Sequence, residues 1–180
     1  MAETVTLPVR GWQRIRILAV FTAAGVTTAA IVGAVTGAAL GPLPDPAPWA
    51  VAAAIGLTAL ADLVGPRALA VGRQVPLEWG RWFSPSTTAA LYGARMGVGP
   101  LTILTSWTWW TATVLAGLHG PIVGAVAGTV FHIVRTLVMV AGVTKAADAP
   151  VRAAQLVRLD RPVWIGSAAT TVAVAGLVLT

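Results

Sequence analysis

Cysteine is absent from the 180-residue chain, which removes disulfides, thiolate metal sites and thiol–disulfide exchange by its own residues. Charge is nearly as scarce. Only 10% of residues are Asp, Glu, Lys or Arg, Lys145 is the single lysine, and His119 and His132 are the only histidines. Two histidines at different depths make neither a metal nor a haem site, so no metal and no cofactor are expected. A phosphate-cradling Gly-Lys loop, a His-Glu-x-x-His helix, a nucleophile elbow and paired carboxylates beside a base are missing as well. These absences point away from catalysis, and no catalytic residue is nominated.

What is present is apolar. Hydrophobic residues make up 57% of the chain and the mean hydropathy is +0.81, too high for a soluble globule of one-domain length. The net charge of +6 and a pI near 11.6 would suit nucleic acid. The basic residues are instead divided among three loops beside apolar runs, so no nucleic-acid partner is expected. Arg10, Arg14 and Arg16 precede the first run, and Arg67, Arg73 and Arg81 follow the second. Lys145, Arg152, Arg158 and Arg161 separate the fourth from the fifth. The alternate connections, 41–48 and 118–121, hold neither Lys nor Arg. This is the positive-inside pattern, with short basic loops kept in the cytoplasm.

The pattern predicts an all-α membrane helix bundle, a single domain of five spans with the N-terminus cytoplasmic and the C-terminus outside. The spans are placed at about 17–40, 48–64, 86–118, 122–143 and 163–180. The first is 24 residues without a charge, about 36 Å of helix, which crosses a hydrocarbon core and is too long for a signal peptide's apolar region. Pro42, Pro44, Pro46 and Pro48 stiffen the outer connection, and Ser84–Pro85 reads as a helix start. Gly93, Gly97, Gly99 and Pro100 weaken the third span, so a kink is expected near Pro100. His119–Gly120–Pro121 is a tight turn that pairs the third and fourth spans antiparallel. Residues 151–159 read as a short surface helix. Dominance of Ala, Gly, Val, Pro and Arg over Lys fits a GC-rich bacterial genome, and the plasma membrane is the expected location.

Small residues recur every four positions at Gly25, Ala29, Gly33, Gly37 and Gly41, and again at Gly120, Gly124 and Gly128. Such stripes let helix backbones approach closely in lipid. They read as packing within the chain, or alternatively as a seam for a homo-oligomer or a membrane-protein partner. His132 continues the second stripe near the centre of that span, and Arg135 lies one turn further toward the cytoplasm. An ionisable group there must face protein or water and have a partner. Arg135 falls about 24 Å below the outer turn and Asp62 about 21 Å, so the two are depth-matched candidates for a pair. Arg95, about 36 Å down a straight helix, is expected near the cytoplasmic interface, where it would snorkel. Asp62, His132, Arg135 and Arg95 form the candidate buried polar site, structural or functional.

Trp107, Trp109 and Trp110 stand among six Ser and Thr residues in the third span. They read as an aromatic belt with interhelical hydroxyl bonds, or as a stacking surface for a ring-bearing lipid or quinone. Trp79, Trp82 and Phe83, interleaved with Arg73, Glu78 and Arg81, suit a segment lying along the headgroups.

The runs RQVPLEWGR, LYGARMGVGPLTILTSWTWW and GAVAGTVFHIVRTLVM, within 73–143, resemble small actinobacterial membrane proteins. They also resemble one three-helix half of the cytochrome c biogenesis and thiol-reductant transmembrane family. That resemblance implies a helical scaffold only, because the family's electron transport needs paired membrane cysteines. The leading reading is a small non-catalytic membrane component of a transport or maturation assembly. The alternative is an independent transporter of a small anion or hydrophobic molecule.

Overall fold

The computed structural model describes residues 11–64, 79–99 and 107–144. Six helices and no strand occur among them, so the fold is all-α. They are α1 (Trp12–Leu40), α2 (Pro48–Val64), α3 (Trp79–Trp82), α4 (Pro85–Gly97), α5 (Trp107–Leu118) and α6 (Pro121–Thr144). The expected fifth span at 163–180, the surface helix at 151–159 and the basic residues Arg10, Arg67, Arg73, Lys145, Arg152, Arg158 and Arg161 lie outside the described residues. Helix α1 is long and apolar enough to cross a membrane; Pro48–Asp62 and Pro121–Leu137 are shorter apolar stretches.

Proline and small capping residues set the boundaries. Pro48, Pro85 and Pro121 each open a helix, where a missing N–H costs nothing. The Ser84 side chain caps α4 by accepting from the Thr87 N–H at 3.2 Å. His119 and Gly120 alone turn α5 into α6, with Gly120 at φ 95°.

Helix α1 is the centre of the bundle, held between α4 and α6. Its glycine stripe meets that of α6 in antiparallel register. A Cβ on Gly37 would fall on the Gly120 carbonyl, one on Gly33 on the Gly124 carbonyl, and one on Gly128 on the Ala29 carbonyl. Both stripes are therefore used inside the chain. On the other side α4 runs parallel to α1, with Gly93 against the Phe21 carbonyl and Gly97 against the Gly25 carbonyl. Ile17, Phe21, Ala89, Tyr92 and Met96 close the core there.

The helix expected over 86–118 is broken after Gly97: α4 ends there and α5 starts at Trp107, while the kink expected near Pro100 lies in 100–106, outside the described residues. The break follows from Gly99, whose φ of 68° is left-handed and ends the turn begun by α4. The Trp109 indole lies directly over Gly99. Gly99→Ala must therefore hold a strained backbone and displace an indole. Unfolding of the purified protein in mild detergent should show a loss of about 1.5 kcal/mol; unchanged stability would mean that the break does not depend on this residue.

Candidate functional site: a buried polar level in the bundle

The four polar residues singled out in the sequence lie close to the mid-level of α1. His132, 1% exposed, sits on α6 opposite Gly25. A Cβ on Gly25 would collide with its imidazole and come within 2.9 Å of the Gly93 carbonyl, so the ring fills the junction of α1, α4 and α6. The Phe21 ring flanks it, with centroids 6.2 Å apart. Neither imidazole nitrogen has a hydrogen-bond partner. Arg135, 6% exposed, and Thr136 lie about one turn nearer the start of α1.

Arg95 is displaced from its expected place. It occupies the last turn of α4, between Gly93 and Gly97, and is therefore level with the middle of α1. The depth expected from a straight helix of 24 residues fails because α4 and α5 are separate helices. Half-buried Arg95 thus belongs to the same level as His132 and Arg135.

Asp62, 8% exposed, accepts a hydrogen bond from the Trp107 N–H at 2.7 Å. A carboxylate on the first N–H of α5 satisfies an end group and complements the helix dipole. This bond ties the buried Asp62 on α2 to the start of α5. Helix α2 packs on α5, and α6 packs chiefly on α1, so Asp62 and Arg135 stand on helices that share no extended interface.

Of the tryptophan cluster, Trp109 is the buried member. Trp109 is buried between Gly99 and Phe131, its ring 5.9 Å from the Phe131 ring and 5.0 Å from Trp110 in an edge-on contact. Trp107 and Trp110 are partly buried. Of the six hydroxyls beside them, Thr102, Thr105 and Ser106 and the side chain of Thr108 lie outside the described residues. Thr111 and Thr113 donate back to the carbonyls of Trp107 and Trp109, at 3.3 and 2.8 Å, within their own helix. Thr22, Thr28, Thr36 and Thr58 do the same. Such back-bonding satisfies a hydroxyl among apolar neighbours at the expense of a slight bend.

Sequence reasoning undervalued Gly93 and Gly97. Read only as weak points in a helix, they form the second glycine seam, and their spacing of four was the available signal. A cavity of about 20 Å³, room for about one water, adjoins the level between Ala29, Gly97, Trp109, Gly128 and Phe131. No group of three or more His, Cys, Asp or Glu that could hold a metal occurs among the described residues. No protein-family model, curated protein or solved structure matches the chain.

Because the imidazole nitrogens make no hydrogen bond, His132 contributes shape rather than bonding to the folded state. His132→Leu keeps the volume and should leave stability within about 1 kcal/mol of the parent. A loss beyond about 2 kcal/mol would show that the imidazole holds a bond essential to the fold. Loss of biological activity at unchanged stability would assign it a working role.

Proposed function

We propose that the chain is a multi-span bacterial plasma-membrane protein, a non-catalytic component of a transport or maturation assembly. The observation that carries this reading is the inverted polarity of α6. Ile122, Val126, Val130, Ile133 and Leu137 line its exposed face, whereas Gly124, His132, Arg135 and Thr136 are buried. A soluble helix places its apolar stripe inward. The reverse arrangement suits lipid, where small residues drive helix approach and ionisable groups turn inward. Exposed Ile31 and Val35 on α1, and Leu57, Leu60 and Val64 on α2, continue the apolar girdle. The described connections agree in sign. Arg14, Arg16 and Arg81 lie at one end of the bundle, and neither 41–47 nor 119–120 at the other end holds Lys or Arg.

The reading as an assembly component draws on α2. It packs chiefly on α5 and leaves Trp49, Leu57 and Leu60 exposed, while the glycine seams are consumed inside the chain. A scaffold like half of the cysteine-dependent family, without its redox pair, would agree with such a role. The second reading, an independent transporter of a small anion or hydrophobic molecule, is favoured by one observation. Arg95, His132 and Arg135 share a level beside an interrupted helix, as transporter sites commonly do. Asp62 already occupies the start of α5, the position an anion would otherwise use.

Extraction from the native membrane in mild detergent separates the two. An assembly component elutes with a stoichiometric partner, well above its own 18.4 kDa plus detergent. A chain that elutes alone and carries solute into liposomes contradicts the proposal and supports the transporter.

A further inference from the structure

The start of α1 and the α3–α4 corner come together at one end of the bundle. Parallel packing of α1 and α4 sets Gly93 beside Phe21, and Ala89 joins Ile17 in one core cluster, so the residues before each lie level. Trp79 anchors the corner. It packs against that cluster, its ring 5.8 Å from Tyr92, and its carbonyl accepts from the Thr88 hydroxyl at 3.1 Å. With Trp79 turned inward, Arg81, Trp82 and Phe83 are left exposed. On α1, Ile17 is buried and Trp12, Arg14, Ile15 and Arg16 are exposed. The exposed surface at this end of the bundle thus carries three guanidinium groups and four large apolar side chains.

We propose that this surface binds the headgroups of anionic phospholipids in the leaflet around it. This inference rests on the membrane reading above. The occupant must satisfy two chemistries at once. Trp12 is 78% and Trp82 70% exposed, and an indole at a bundle end is best placed at the boundary between acyl chains and headgroups. The guanidinium groups need phosphate oxygens at the same depth, which they grip through forked N–H pairs. An anionic phospholipid offers both in one molecule, with its acyl chains and its phosphate at fixed relative depth. No acid competes among the described residues. Asp45 lies in the connection at the opposite end, and Asp62 is bonded to the start of α5.

Each arginine near an anionic leaflet contributes about a fivefold preference, so three together act strongly. The test uses the full chain in detergent with equimolar phosphatidylglycerol and phosphatidylcholine, followed by analysis of the retained lipid. The wild type should retain phosphatidylglycerol in clear excess, and 0.5 M salt should reduce that excess. The R14Q/R16Q/R81Q variant should return to the mixing ratio, while R14K/R16K/R81K keeps most of the preference. W82A/F83A should lower the total lipid retained more than it changes the ratio. An excess that persists in the glutamine variant and at high salt overturns the inference, as does retention of an acidic protein through these arginines. The salt arm needs no variant to fold. Alkaline carbonate washing keeps the two readings apart. Release of the chain from membranes sinks the membrane reading itself, whereas a chain that stays embedded without lipid preference sinks this inference alone.

Discussion

Gly33→Ala is expected to destabilise the protein by about 2 kcal/mol, although alanine is the better helix former. The propensity term favours the substitution by about 1 kcal/mol. Against it, the new methyl would fall on the carbonyl of Gly124, which is backbone of the facing helix and cannot rotate away. Helices α1 and α6 must then separate along the whole seam, losing dispersion contacts at Ala29, Gly37 and Gly128 too. Overpacking of this kind costs about 1–3 kcal/mol or more, and the collision with backbone places it at the upper end. Gly56→Ala on α2 is the control: nothing lies within 4 Å of the added atom, so stability should rise by about 0.5–1 kcal/mol. Opposite signs for two identical substitutions in unfolding experiments would establish the seam. Gly33→Ala combined with Gly124→Ala should cost less than the sum, because the first has already parted the helices. Equal, small effects at Gly33 and Gly56 would mean that α1 and α6 are not in contact.

Asp62→Ala should cost about 2 kcal/mol. It removes a charge-assisted bond to the Trp107 N–H and exposes the start of α5 to an apolar setting without a cap. Asp62→Asn keeps an acceptor and should recover about half of that loss. The consequence extends beyond α2, because Trp107 leads directly into Trp109, which covers Gly99 and stacks near Phe131. Tryptophan fluorescence should therefore shift in Asp62→Ala before global unfolding. An unchanged spectrum and stability would show that another group fixes the start of α5.

Much of the helical frame was legible in the sequence. Pro48, Pro85 and Pro121 open helices, Ser84 caps α4, and the stripe of Gly124, Gly128 and His132 announces the inward face of α6. The depth of Arg95 was not legible, because depth was counted along an unbroken helix and Gly99 takes a left-handed conformation that spacing does not reveal. The role of Asp62 was hidden for a related reason. One of its partners is the backbone N–H of Trp107 at the start of α5, a donor that an unbroken helix over 86–118 would have used within itself. Trp109 was read as surface material because aromatic clusters in apolar spans usually face headgroups. Here glycine at 99 leaves a space that an indole fills.

The absence of cysteine permits a direct test of the central claim, that the bundle crosses a membrane with its arginine-bearing end in the cytoplasm. Single cysteines at Asp45, His119, Arg14 and Ser84, all exposed positions, can be labelled in intact cells with a membrane-impermeant maleimide. The account predicts labelling of Asp45→Cys and His119→Cys from outside, and of Arg14→Cys and Ser84→Cys only after the membrane is opened. Labelling of Arg14→Cys or Ser84→Cys in intact cells, or protection of Asp45→Cys together with His119→Cys, would contradict it.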